Sequence, residues 1–191
     1  MKKVIILNSP PNSGKDHGAE ALCKYFYSIG LPAHPKEFKK ALFKAVKSAY
    51  GIDEEQWGLL YTRTSKEQPS EFLIYNGEPI SPRQAMINMS ENVMKPLFGS
   101  DVFGKAAAFD LLDGFNVFSD GGFEEEIEPI KSEVGKENIL IIKLSRMGCT
   151  FDGDSRNYVD VDGVRTIDLF NRGDQSFEHD LIQVVEEWLD E

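Results

Sequence analysis

Three features of the sequence predict an α/β protein in which a parallel sheet lies between two layers of helices. Short apolar runs alternate with stretches of helical periodicity along the whole chain, with no repeat and no linker. One run, Asn138–Leu144, is apolar almost without interruption, as a strand covered on both faces must be. The third feature stands at the start. The apolar run Val4–Leu7 passes through Asn8-Ser9-Pro10-Pro11-Asn12-Ser13-Gly14-Lys15-Asp16 into a helix-patterned stretch.

That last feature is the context in which a P-loop works. Backbone N–H groups wrap phosphates, the helix N-terminus adds positive potential, and a lysine reaches the outer phosphates. The usual pattern is G-x-x-x-x-G-K-[ST]. Here Ser9 replaces the first glycine and Asp16 replaces the hydroxyl residue. Ser13, Gly14, Lys15 and Asp16 are therefore the expected ATP contacts. Asp16 is a candidate Mg²⁺ ligand, directly or through water, or it only favours the positive end of the helix.

Composition narrows the function classes. A length of 191 residues suffices for one domain with a core and a small insertion. Hydrophobic content of 41% and charged content of 28% fit a globular protein in water. No run is apolar for long enough to span a bilayer, and the run after Met1-Lys2-Lys3 is too short for a signal peptide, so a cytoplasmic location and no membrane partner are expected. Cys23 and Cys149 make no disulfide framework. The three histidines form no Cys/His cluster, which disfavours zinc. A net charge of −11 argues against a nucleic-acid polymer as partner. A small anionic substrate then requires Lys and Arg to gather locally. A homodimer is compatible with all of this.

In chain order, Ala19, Leu22, Cys23, Phe26 and Ile29 recur at helical spacing and stop at Gly30. Ala33–Lys36 reads as a short strand. Phe38, Leu42, Ala45, Val46 and Ala49 mark a second amphipathic helix. From Asp53 to Gly114 no clear strand is visible, and the stretch reads as a helical insertion. It contains the polar loop Tyr61–Pro69 with Arg63 and Lys66. Ser81-Pro82-Arg83 then reads as a capped helix start, with Ala85, Met86, Met89 and Val93 as its buried face. Phe115–Asp120 is a strand ending in an acid, the usual second partner of Mg²⁺ or of the substrate beside a P-loop. Glu124, Glu125 and Glu126 fit the positive end of the next helix and need no further role. Arg146–Gly163 is polar and turn-rich, as lids are, and its acids read as solvent-facing. Thr166–Phe170 is a last strand. The final helix buries Phe177, Leu181, Val184, Val185 and Trp188.

Taken together, Gly14-Lys15-Asp16, Arg63…Lys66-Glu67…Pro69, Ser81-Pro82-Arg83 with Ser90-Glu91, and Ser119-Asp120 with Phe123 and Glu126 resemble the phage-type deoxynucleoside monophosphate kinase family. Arg146, Asp154-Ser155-Arg156 and Asn171 extend the resemblance over nearly the whole chain. It implies a single P-loop kinase domain over residues 1–191, with a substrate-binding insertion at about 53–114 and a lid at about 146–163. It implies transfer of the ATP γ-phosphate to a deoxynucleoside monophosphate with Mg²⁺, the partners being small nucleotides. Arg63, Lys66 and Arg83 would surround the monophosphate, Glu91 and Asp120 would fix the substrate, and Phe38 would line its site. Lys15, Arg146 and Arg156 would act on the transferring phosphoryl, the two arginines from the lid. Asn171 would lie near the adenine. Asp16 and Asp120 are the candidate metal ligands.

The chain departs from the family at Gly122, where an arginine is usual, at Met89-Ser90, where Gly-Thr is usual, and at Phe43, where a lysine is usual. Without an arginine at 122, Lys95 or Lys105 fills the gap or base selection is loose; the second is the expectation. Two other readings stay open. One is a P-loop kinase of a different small acceptor, and the other is a nucleotide-binding protein without catalysis.

Overall fold

The computed structural model describes residues 1–121, 123–154 and 156–190. The elements are β1 (Lys2–Asn8), α1 (Lys15–Ser28), β2 (Ala33–Lys36), α2 (Lys40–Tyr50), α3 (Glu54–Leu60), β3 (Ser70–Tyr75), β4 (Glu78–Ile80), α4 (Pro82–Met89), α5 (Lys95–Phe98) and α6 (Val102–Phe109). They continue with β5 (Gly114–Phe118), α7 (Glu124–Val134), β6 (Ile139–Arg146), β7 (Arg165–Asn171) and α8 (Ser176–Asp190). The chain divides into a first unit, residues 1–38 and 104–191, and a second, Lys39–Phe103.

The first unit is a mixed α/β layer structure around a five-stranded sheet of order β2-β5-β1-β6-β7. Every neighbouring pair in it is parallel. Residues alternate between the two faces of a strand, and β1 shows it. Ile5 and Leu7 pack with Leu22 and Phe26 of α1 and Phe177, Leu181 and Val185 of α8. Val4 and Ile6 pack on the other side with Ile127 and Ile130 of α7. Both faces are covered, which explains why β1 and β6 read as nearly continuous apolar runs. The connection after β1 therefore leaves over one face and the connection after β5 over the other. Adjacent strands whose connections diverge in this way open a crevice at their C-terminal ends, where α/β proteins bind ligands.

The second unit has its own core of Leu42, Val46, Ile52, Trp57, Leu73, Ala85, Met86 and Phe103. It differs from the expected insertion in extent and content. It begins at Lys39, so α2 belongs to it, and it ends at Phe103. Ala107 and Leu111 are buried in the core of the first unit instead. It also holds an antiparallel hairpin, β3–β4, where no strand was expected. The Asn76-Gly77 turn has both φ angles positive, 51° and 85°, the primed geometry that suits a two-residue hairpin loop. Of β3 only Leu73 is buried, so the apolar alternation that reveals a strand is missing.

The helix from Ser81 starts as expected. The Ser81 side chain accepts from the Gln84 N–H, and Pro82 takes the first helical position. Ser90–Met94 is then a π turn. A π turn adds a residue to the helical repeat and rotates the residues beyond it about the helix axis. Val93, expected inside, is exposed, and Met94 packs against the core in its place.

Among the described residues no helix is long and apolar enough to cross a membrane.

Candidate functional site

β1 delivers its buried last residue, Asn8, and the buried Ser9 that follows it to the loop before α1. The loop turns through two left-handed positions, Asn12 (φ 66°) and Gly14 (φ 97°). Gly14 caps α1 with its backbone alone and makes no side-chain cap bond. Glycine is required here twice over. Its φ disfavours any side chain, and a Cβ would lie 2.5 Å from Asn171 Nδ2. Lys15 opens the helix, Asp16 follows it on the exposed side, and the Ser13 hydroxyl is buried without a hydrogen-bond partner among the described residues. Open N–H groups, a lysine and a strand-to-helix turn form a site for an anion.

Two residues expected as direct ligand contacts support this loop from behind. Asn171 is buried. Its Nδ2 donates to the Ser13 carbonyl at 2.9 Å, and its Oδ1 accepts from the Gly173 N–H at 2.8 Å. Its amide thus holds this loop against the end of β7. Arg146 is register partner to Asn171 on β6 and donates at 3.5 Å to the Asn12 carbonyl. It stands at the C-terminal end of β6, next to the edge strand β7.

Asp120 lies two residues beyond the end of β5 and is buried. Its Oδ1 accepts from the Phe38 N–H at 2.8 Å. The Phe38 ring is 2% exposed and stacks on Phe118 with centroids 4.5 Å apart. Phe38 therefore contributes its backbone here, and its ring is core. Gly121 must be glycine for space, since a Cβ would sit 2.3 Å from Ile6 Cγ2. Gly122 lies outside the described residues.

The stretch 147–164 divides in two. Val159, Val161 and Val164 are buried in the core, and the Tyr158 hydroxyl donates to the Leu144 carbonyl at 2.9 Å. Among the described residues, the part before them contributes nothing to that core. That part brings Arg156, whose backbone N–H and Nε donate to Asp154 Oδ1 at 3.0 and 2.9 Å, and whose Nη2 donates to Oδ2 at 2.6 Å. Hydrogen bonding to Asp154 raises the Arg156 pKa; burial opposes this, and the charges of Asp154, Asp120 and Glu126 reinforce it. Asp154, read from the sequence as solvent-facing, and Glu126, read as a simple helix-start acid, are both set into this corner; Glu126 is buried and the Asp154 side chain is 8% exposed.

Sequence reasoning missed Asn8. It is fully buried, and its side chain makes three hydrogen bonds. Nδ2 donates to the carbonyls of Gly121 (3.1 Å) and Asn157 (3.0 Å), and Oδ1 accepts from the Val159 N–H (2.9 Å). A polar residue closing a run of four buried apolar ones was the available signal.

In the second unit Lys66 and Arg83 come together. The Arg83 N–H donates to the Lys66 carbonyl at 2.9 Å, joining the polar loop to the first turn of α4. Ser65 holds the loop, its hydroxyl donating to the carbonyls of Leu59 and Leu60. Arg83 makes a loose 3.5 Å pair with Glu67, and Arg63 is exposed on the same loop. Glu91 lies in the π turn, where Lys95 at 2.7 Å lowers its pKa, with the Ser90 hydroxyl adding to the effect against partial burial. Lys95 is thus committed to Glu91.

The fit to Mg²⁺ is decided by the donors. Mg²⁺ takes one or two carboxylates plus phosphate oxygens, not an all-protein cage. Asp16, exposed beside the loop, suits that. Asp120 is buried and already accepts the Phe38 N–H. No group of three or more His, Cys, Asp or Glu placed to hold a metal occurs among the described residues.

No family model matches the chain, and no curated protein matches it. Among solved structures, an unliganded sugar kinase from Janibacter sp. HTCC2649 aligns with a TM-score of 0.45 and 9% identity, over 100% of this chain and 95% of that one. A gluconokinase from Sinorhizobium meliloti 1021 aligns with a TM-score of 0.39 and 13% identity, over 99% and 90%. Likeness at this level decides neither activity nor substrate.

Proposed function

We propose that the protein transfers the γ-phosphoryl group of ATP to a deoxynucleoside monophosphate. The observation that carries the reading is the loop from Ser9 to Lys15. It is glycine-turned, braced by Asn171, and open at the N-terminus of a 14-residue helix. Its N–H groups and Lys15 would hold the phosphates of ATP, and Asp16 would hold a Mg²⁺ ion supplying charge neutralisation. Arg63, Lys66 and Arg83 supply cations for the acceptor's phosphate. Phosphoryl transfer is mostly positioning and charge neutralisation, and a monophosphate oxygen is already an anionic nucleophile, so no general base is required.

The test is ADP release from ATP and Mg²⁺ with a panel of acceptors. Dependence on a deoxynucleoside monophosphate is the expected result. Release only with a sugar acid or another phosphorylated metabolite would assign a different acceptor. Tight ATP binding without turnover on any acceptor would assign a binding protein.

A further inference from the structure

The loop before α1 lies at the C-terminal end of β1. At the opposite end of the sheet the chain makes two connections, from α1 to β2 and from α6 to β5. Two hydrogen bonds tie them together. The Phe115 N–H donates to the Pro32 carbonyl at 2.9 Å, and His34 Nε2 donates to the Asp113 carbonyl at 3.0 Å. Around that junction, and within the first unit, apolar side chains face solvent. Phe109 is 95% exposed and Tyr27 61%, and Ile29, Leu31 and Leu112 lie between 38% and 50%. Together they leave the equivalent of about three whole side chains in water, on the order of 600 Å² at roughly 200 Å² each. That is the upper end of what a monomer exposes in one place, and it marks an interaction site.

Charge and area decide what fits there. From Tyr25 to Pro35 the sequence has no Asp, Glu, Lys or Arg, although 28% of the chain is charged. In the other connection Asp110 pairs with Lys36 at 3.1 Å, and Asp113 with the Met1 amino group at 3.0 Å. A partner recognised by its charge finds little to read on such a face. Aromatic side chains without charge are the composition of an interface core. Two copies related by a two-fold axis bring apolar surface against apolar surface, and each marginal acid arrives with its own partner. A standard interface buries about 800 Å² on each side, an apolar core inside a polar rim, and these side chains supply most of that area.

We propose that this face is the interface of a two-fold homodimer, with Phe109 as its anchor. The copies join through side chains. β2, the free edge of the sheet on this side, is four residues long and contains Pro35, which makes it a poor template for strand addition. Each copy carries a net charge of −11, so apolar contact works against repulsion, and salt strengthens the dimer by screening it. The interface lies at the far end of the sheet from the loop before α1 and does not depend on the kinase reading.

Sedimentation equilibrium of the full chain, across a wide range of concentration and at low and high NaCl, tests it. The wild type passes from monomer to dimer, and added NaCl favours the dimer. Phe109→Glu raises the dissociation constant roughly thirtyfold or more, the loss of one anchor. Phe109→Lys, which makes the chain less acidic, weakens the dimer as well, so added repulsion is not the cause. Circular dichroism and thermal unfolding at low concentration stay as in the wild type, because the ring is exposed. Ile29→Lys, from the other connection, shifts in the same direction and covers the case in which the Phe109 variants do not fold. Phe72→Glu, on the exposed side of β3 in the second unit, leaves the dimer intact. A wild type that is monomeric at every concentration would overturn the inference. So would a dimer that survives Phe109→Glu, or one that Phe72→Glu dissociates. A monomer that floats with neutral phosphatidylcholine vesicles would assign the face to a membrane surface instead.

Discussion

The loop before α1 and the cation loop of the second unit both suit phosphate, and they are built in opposite ways. The first is made of main chain: left-handed turns at Asn12 and Gly14, uncapped N–H groups, and the Asn171 amide filling the space behind. The second is made of side chains: Arg63, Lys66 and Arg83 on a loop pinned by Ser65 and by one backbone bond to α4. Main-chain geometry leaves little freedom and recognises a feature that all triphosphates share. Exposed side chains reorient readily and are easily exchanged. On the proposed function, the difference assigns an invariant donor to the first loop and a variable acceptor to the second.

The comparison can be broken at the first loop. Lys15→Ala should lower kcat by roughly 10²–10³, the cost of one preorganised charge stabiliser, and keep the thermal midpoint of the wild type. Near-normal kcat would remove the donor site from that loop. Asn8→Ala should cost about 2–4 kcal/mol by chemical denaturation, because it strands the carbonyls of Gly121 and Asn157 and the Val159 N–H in the interior. A loss under about 0.5 kcal/mol, the range of an ordinary surface change, would show that the amide is no latch.

Arg83→Ala and Arg63→Ala sharpen the comparison from the other side. Each should weaken binding of the monophosphate about tenfold, as one hydrogen bond to a charged group does, while ATP affinity holds. Collapse of ATP affinity instead would reverse the two assignments. The smallest effect belongs to Val93→Ser, which should change stability by no more than about 0.5 kcal/mol, whereas Met86→Ala should cost about 2–5 kcal/mol. The π turn puts Val93 outside and leaves Met86 inside; comparable losses would contradict that register.

What the sequence showed was what is local. The glycine-turned loop before α1, the Ser81 cap and the apolar runs of β1 and β6 each declare themselves within a few residues. The rest depends on partners distant in the chain. The β3 strand buries one side chain and so carries no alternation, and the π turn leaves no mark in a helical pattern except a residue that faces the wrong way. Asp154 looks like any loop acid until Arg156 closes on it, and Phe38 and Asn171 look like ligand contacts until the packing behind them is seen. The segment 146–163 looks uniform as sequence because three spaced valines hardly interrupt its polar character, yet those valines bury its second half. Hydrogen exchange should therefore divide it, with strong protection at 159–164 and weak protection at 147–154; uniform exchange would contradict the division.

The most direct test of the whole account tracks the phosphorus. ³¹P NMR of the protein with ATP, Mg²⁺ and dGMP should show the monophosphate signal replaced by the paired signals of a deoxynucleoside diphosphate, with ADP formed in equal amount. ADP accompanied only by inorganic phosphate, with dGMP, dTMP and dAMP each left intact, would contradict it.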